Sequence, residues 1–528
     1  MVDCLLTGGH VADGLGNPLV RATVAIRGGR VLLLGEAERP EAAQQIDVSG
    51  KVVAPGFIDI HSHNDLNAIT GVDLHDKISQ GVTTEVVGNC GSSPFPITER
   101  NRPLLGELLN VVSPAPWKPS WTSWEGYARA VEQAGVHANI IGQVGHSVLR
   151  AAVMGMALRK PTPDELSEMQ DLLRKCMDEG ASGLSFGLMY HPGSYAEPEE
   201  LLALARVVAE LEGFVSVHLR AYDAQNLLAG IHEMVVVAER SGVRLQLSHL
   251  APTGRTAQRM TDAMLASVQS ARNRGVDVEF DRYPYEHALS RVSLPFPKWA
   301  LADGPDALAA RLADPAAVAR MIPEIDAFMA DIGYDQTVIV GSADPRLDAR
   351  TIAEIADKRE VSGAEAMVGI VGELGSAAKI TLRLTTMAAQ EAILSHPLCS
   401  VGSDGLACCG GTHPRTFGTF PRVLGPFVRR GVMSLPSAIH KMTGKPAKRL
   451  GLKDRGVLVD GSVADITVFD PETVSDNGTF EDPYRRSSGI SAVFVAGHKV
   501  MSDGVVSEKR PGRLIRAIVE RSISTTSK

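Results

Sequence analysis

The sequence predicts an α/β protein: a (β/α)8 TIM-like barrel with a small β-sandwich domain built from both chain ends and an inserted subdomain. Three observations predict it. Eight strand-like apolar runs recur with helical periodicity between them, near the spacing of about 30 residues that a strand-helix unit requires. Hairpin-like segments occupy both ends of the chain. One gap of more than 110 residues breaks the rhythm before the last run.

Residues 1–55 alternate short apolar runs, Asp3 to Thr7, Thr23 to Ile26 and Arg30 to Leu34, with Gly-containing turns, and so read as hairpins. Ala464 to Phe469 and Ser491 to Val500 repeat that grammar, with Gly461 and Gly497 at turns. We therefore assign 1–55 and 446–528 to two parts of one β-sandwich, the latter with a tail, and 56–445 to the barrel. The barrel runs are Gly56 to Ile60, Thr84 to Val87, Asn139 to Val144, Gly183 to Leu188, Phe214 to Val217, Arg244 to Leu247, Asp277 to Phe280 and Cys399 to Val401. Helices fit the gaps. Thr162 to Glu179 opens Thr-Pro-Asp-Glu, an N-cap followed by Pro in the first turn. Pro198 to Glu212 keeps Leu201, Leu202, Ala205, Val208 and Ala209 on one face. The long gap is rich in Pro, Ala and Asp from 287 to 345, which reads as an inserted lid-like subdomain.

Composition narrows the function classes. A chain of 528 residues, 44% hydrophobic and 22% charged, is an ordinary globular protein with material for more than one core. No apolar run reaches the ~18 residues of a membrane-spanning helix. A formal charge of -8 with scattered Lys and Arg offers no basic field to nucleic acid or an anionic membrane. The expected partner is a small-molecule substrate, and the sequence assigns no oligomeric state. Six cysteines, two of them adjacent at Cys408 and Cys409, do not make a secreted disulfide framework. The N-terminus lacks the basic head and long apolar stretch of an export signal, so a cytoplasmic location is expected.

The chemistry is carried at strand ends. His61 and His63 follow the first run two apart, and residues i and i+2 of an extended chain point the same way. Both imidazoles can then reach one metal at the C-terminal mouth of the barrel. Cys90 follows the second run, His218 ends FVSVH, His249 ends RLQLSH, and Asp404 follows CSVGSD. Each alone has a mundane reading as packing, a satisfied hydrogen bond or, for Asp404, a helix N-cap. Together they aim five strand ends at one place. Imidazole, thiolate and carboxylate suit a first-row dication such as zinc. A zinc ion lowers the pKa of its water from about 15.7 to ~7 and polarises a carbonyl, which is the chemistry of amide hydrolysis. Asp404 is the candidate proton shuttle.

At these residues the chain resembles the amidohydrolase superfamily and, more narrowly, the D-aminoacylase or N-acyl-D-amino-acid deacylase family. The likeness runs nearly end to end through PGFIDIHSHND, GNCG, His218, His249 and the late SDG with THPRTFGTFPRVLG. It implies zinc held tightly by Cys90, His218 and His249, with a second, weaker site at His61, His63 and Asp404. It implies hydrolysis of N-acyl-D-amino acids to a carboxylate and a free D-amino acid. It also implies that Arg415 binds the substrate carboxylate with Tyr283 and Ser290, while Tyr190 lines the side-chain pocket. A planar guanidinium suits a carboxylate in bidentate geometry. Members selective for acyl-D-glutamate carry a lysine shortly after the strand-six histidine. Leu250 and Ala251 stand there instead, which favours an apolar or mixed preference unless Arg255 reaches in. Cys408 and Cys409 read as structural. The rivals are another amidohydrolase acting on a carboxylate-bearing dipeptide, cyclic amide or xenobiotic amide, and a non-enzymatic binding protein on the same barrel.

Overall fold

The computed structural model describes residues 1–109, 113, 117–342, 344–376, 378–408 and 411–516, so Cys409 lies outside the described residues. Eight parallel strands position the strand-end residues: β1 (Phe57–Asp59), β2 (Val82–Val87), β3 (Asn139–Gly142), β4 (Gly183–Gly187), β5 (Phe214–His218), β6 (Arg244–Leu247), β7 (Val278–Arg282) and β8 (Cys399–Val401). Most of their side chains are buried on both faces, as expected when helices cover a parallel sheet. One ladder pairs β1, β2 and β3 in parallel. A second starts at Val144–Gly145, just past β3, and runs through β4, β5, β6 and β7 to β8. The ends of β1 and β8 also meet. Ser62 and Gly405 form a parallel bridge, His63 N–H donates to Gly405 O at 2.9 Å, and Asp404 N–H donates to His61 O at 2.8 Å.

Helices follow the local rules of the sequence. Pro163–Glu179 starts with a full capping box, in which Thr162 and Glu165 satisfy each other's backbone N–H groups, and it buries Met169, Leu173, Cys176 and Met177 along one face. The helix expected to run to Glu212 ends at Glu210, because Glu212 takes a left-handed φ of 54° ahead of Gly213.

Both chain ends build one sheet: Val52–Pro55 pairs antiparallel with Ile466–Phe469, which pairs with Ile490–Val495. Leu6, Val24 and Ile26 from a second, four-stranded sheet share a core with Val53, Ile466, Val468 and Phe494. Between β7 and β8, the strands His287–Arg291, Lys379–Arg383 and Thr337–Val340 form a small antiparallel sheet. It has its own core around Val292, Met321, Ile339, Ile380 and Leu382. No helix among the described residues is long and apolar enough to cross a membrane.

Candidate active site

All six strand-end residues meet at the C-terminal mouth of the parallel strands. The Ser62–Gly405 bridge keeps the chain after β1 extended, so His61 and His63 project to one side. Cys90, His249 and Asp404 sit just past β2, β6 and β8 with left-handed φ values of 52°, 36° and 49°. Such conformations cost about 1–3 kcal/mol each for residues other than glycine, and they cluster at functional sites.

Asp404 Oδ1 lies 3.1 Å from His63 Nε2 and 3.4 Å from His61 Nε2. Cys90 Sγ lies 3.4 Å from His61 Nε2 and 3.6 Å from His249 Nε2, and His218 Nδ1 lies 2.9 Å from His249 Nε2. Around a tetrahedral zinc with bonds of about 2.0–2.3 Å, neighbouring ligand atoms stand roughly 3.3–3.6 Å apart. The thiolate and its imidazoles already match that spacing, and the His218–His249 pair needs an opening of a few tenths of an ångström. Cys90 lies near atoms of both expected ligand sets, as a thiolate shared between two metals would.

Hydrogen bonds behind these residues fix their aim. Asp281, on β7, accepts His249 N–H at 2.8 Å and Gln246 Nε2 at 3.0 Å, and its Oδ1 stands 3.2 Å from His61 Nδ1. Tyr222 Oη lies 3.3 Å from His249 Nδ1. On the other side, Lys77 Nζ donates to Asp59 Oδ2 at 2.8 Å and to Ser403 Oγ at 3.1 Å, while Asp59 Oδ1 accepts Ser403 N–H at 2.9 Å. This clamp joins the chain leading to His61 with the chain leading to Asp404. Sequence reasoning passed over Asp281, Tyr222 and Lys77. The signal for Asp281 was a carboxylate directly after the seventh run, which the sequence reading ends at Phe280.

Charge in the cluster is strongly coupled. Burial works to raise the Cys90 thiol, but His61, His218 and His249 hold it well below the ordinary thiol range. Burial works to lower His63, yet Asp404 and Cys90 push it up to about 9. Burial works to raise the Asp404 carboxyl, yet Arg415 and His63 keep it well below the usual carboxylate range. An anionic thiolate and an anionic carboxylate among imidazoles form a donor set for a dication.

The cluster opens into a cavity of about 720 Å³. Arg415, Tyr283, Ser290 and Tyr190 all line it. The Arg415 guanidinium lies 4.5 Å over the Tyr283 ring, and its Nη1 is 2.8 Å from Asp404 Oδ2. Tyr190 stacks at a tilt on His218, with centroids 4.6 Å apart. Ser290 comes from the inserted strand His287–Arg291. Leu250 is fully buried in the main core and is absent from the cavity wall, whereas Ala251 lines it. Arg255 turns away to Asp335 at 3.3 Å. Of the two uncharged residues after His249, Ala251 therefore faces the cavity and Leu250 does not, and Arg255 does not reach in. Cys408 is a buried free thiol that accepts from Lys379 Nζ at 2.9 Å.

The chain is 35% identical over 521 residues to an N-acyl-D-glutamate deacylase of Alcaligenes xylosoxydans xylosoxydans, covering 98% of this chain and 96% of that one. An N-acyl-D-glutamate deacylase from Bordetella bronchiseptica, solved with zinc and a phosphonate mimic of the tetrahedral intermediate, superposes with a TM-score of 0.82 at 33% identity. The match covers 98% of this chain and 100% of that one. A D-aminoacylase with a binuclear metal centre, in which one metal activates and the second attenuates, superposes with a TM-score of 0.84 at 32% identity, with the same coverage. The model of the amidohydrolase family matches residues 44–501, and the chain belongs to that family.

Proposed function

We propose that the protein hydrolyses N-acyl-D-amino acids to a carboxylate and a free D-amino acid, with zinc as its cofactor. The observation that carries the reading is the convergence of Cys90, four histidines and Asp404 on a cavity that also presents Arg415. Cys90, His218 and His249 would hold the tight zinc, and His61, His63 and Asp404 a weaker second one. When bound, zinc supplies an acidified water and a polarised scissile carbonyl. Asp404 takes the proton from the attacking water and delivers it to the leaving nitrogen. Arg415, with Tyr283 and Ser290, holds the substrate carboxylate and thereby fixes the amide against the cluster. Tyr190 packs against the substrate side chain beside His218.

The wall also presents Met189, Leu294, Phe328 and the cation Arg291, on which the Glu107 carboxylate acts from outside this cavity. We read the side-chain preference as mixed, with acidic side chains accepted alongside apolar ones. The deciding experiment is hydrolysis of paired N-acetyl-D- and N-acetyl-L-amino acids (Met, Leu, Phe, Glu, Asp), with and without added zinc. Release of the D-amino acids alone is expected. Equal release from the L series would reject the stereochemical reading, and no turnover on either series would move the substrate to another amide.

Arg415→Lys keeps one positive charge but loses the planar fork, so KM is expected to rise about 10- to 100-fold with a smaller change in kcat. Steady-state kinetics on the best D substrate checks this, and an unchanged KM would move the carboxylate anchor to another residue.

The two parallel ladders are read as one closed eight-stranded barrel, supported by the Ser62–Gly405 bridge and by the continuity of β3 with Val144–Gly145. The domain assignment of 1–55 and 446–528 around 56–445 is supported by the shared core of the two end sheets. The inserted unit is drawn at 287–383 rather than 287–345, because Lys379–Arg383 is the central strand of its sheet.

A further inference from the structure

We infer that Asp73, His75 and His137 form a separate cation site, outside the hydrolytic centre, which takes a borderline divalent metal such as zinc and ties the C-terminal segment to the barrel. Asp73 and His75 lie in the turn between β1 and β2, and His137 lies just before β3. Their donor atoms all fall within 4.8 Å of one another. None of the three lines the hydrolytic cavity.

The hydrogen bonds around the cluster set two imidazole nitrogens against the Asp73 carboxylate. His137 Nε2 lies 2.9 Å from the Ser507 carbonyl oxygen, which can only accept, so Nε2 carries the proton. In a neutral ring, Nδ1 then presents a lone pair to Asp73 Oδ2 at 2.9 Å. Two lone pairs at that distance repel unless a proton or a metal lies between them. His75 repeats the problem: its Nδ1 is buried, 3.0 Å from Asp73 Oδ1, and makes no hydrogen bond. Asp73 Oδ1 is already taken by the backbone N–H of His75 at 3.0 Å, and His75 is held in a left-handed conformation, φ 57°. A buried imidazole nitrogen without a bond is costly, and a ligand role accounts for it.

The donor chemistry and the space also fit. Two imidazoles and one carboxylate suit zinc and its first-row neighbours, with a fourth position for water. Ligand atoms now 2.9 and 3.0 Å apart open to roughly 3.3 Å around such an ion. A cavity of about 50 Å³, lined by Asp73, His75, Asp76 and His137 among others, adjoins the cluster and has room for the water. The nearest competing cation is Arg510, whose Nη2 stands 3.9 Å from Asp73 Oδ2 on a side chain 42% exposed, free to swing into solvent. Occupancy would stiffen two things at once. His137 grips Ser507, ahead of the Val136–Gly512 and Ile140–Leu514 bridges, and Asp73 leads directly into the turn that carries Lys77.

The test strips the full-length protein with a chelator, reloads it with excess zinc by dialysis, and counts zinc per chain by elemental mass spectrometry. His75→Gln and His137→Gln are each expected to bind one equivalent fewer than wild type while keeping turnover, because neither residue belongs to the hydrolytic centre. Asp73→Asn, which preserves size, covers the case in which a histidine variant fails to fold. Cobalt adds a second readout: the equivalent lost should contribute no sulfur charge-transfer band, since this site has no thiolate. Equal zinc in wild type and all three variants would overturn the proposal and leave the cluster an ion pair of Asp73 with a protonated His137.

Discussion

Asp404→Ala is expected to keep its tightly held zinc and lose about 10²- to 10⁴-fold in kcat, the range that a positioned general acid–base group supplies. The expectation rests on geometry. The contacts of Cys90 Sγ with His249 and of His249 with His218 do not pass through Asp404, so the proposed tight ligand set survives its removal. Its carboxylate, by contrast, is the acceptor that faces both His61 and His63 while Arg415 holds it ionised. Zinc content and steady-state kinetics on the same preparation decide the matter. Turnover near that of wild type would hand the proton transfer to another group. Loss of zinc together with activity would move Asp404 into the tight ligand set.

His218→Ala is expected to have the second large effect, through loss of the metal itself. Replacing a hydrogen-bonding partner behind a metal ligand already costs 10- to 100-fold in affinity, and deleting the ligand costs more. His218 ends β5 and its Nδ1 lies 2.9 Å from His249 Nε2, so its removal takes away one of the two imidazoles of the proposed tight set. Zinc per chain after dialysis should fall steeply, with kcat/KM falling alongside, and a variant that retains full zinc would remove His218 from the ligand set. Tyr222→Phe, which removes a hydroxyl 3.3 Å from His249 Nδ1, provides the graded comparison, with a smaller loss of affinity.

What the sequence displayed and what it hid follow from the range of the physics involved. His61 and His63 were legible because a two-residue period in an extended chain is a local rule. Thr162 was legible as a cap because its partner Glu165 is three residues away. Asp281 was not, since its role depends on accepting from His249 and Gln246 on the neighbouring strand, a relation that only the pairing of β6 with β7 creates. Which of Leu250 and Ala251 lines the cavity was hidden for a related reason. One residue past a strand-end histidine can face the cavity or the core, and the chain sends Leu250 into the core and Ala251 to the wall. The extent of the insertion was hidden because Lys379–Arg383 finds its partners about 40 and 90 residues back in the chain.

The clamp of Asp59, Lys77 and Ser403 has a consequence in time as well as in space. His63 and Asp404 are separated by 341 residues, and the bonds that set them face to face, Asp404 N–H to His61 O and Ser403 N–H to Asp59, join the first parallel strand to the last. During synthesis, at about 5–20 residues per second, His61 and His63 emerge tens of seconds before the carboxylate that completes their cluster. Through that interval the nascent chain carries Cys90 and the imidazoles of the cluster without the carboxylate that faces His61 Nε2 and His63 Nε2. On the proposed mechanism, catalytic competence waits until the chain after the eighth strand meets the chain after the first at the Ser62–Gly405 bridge.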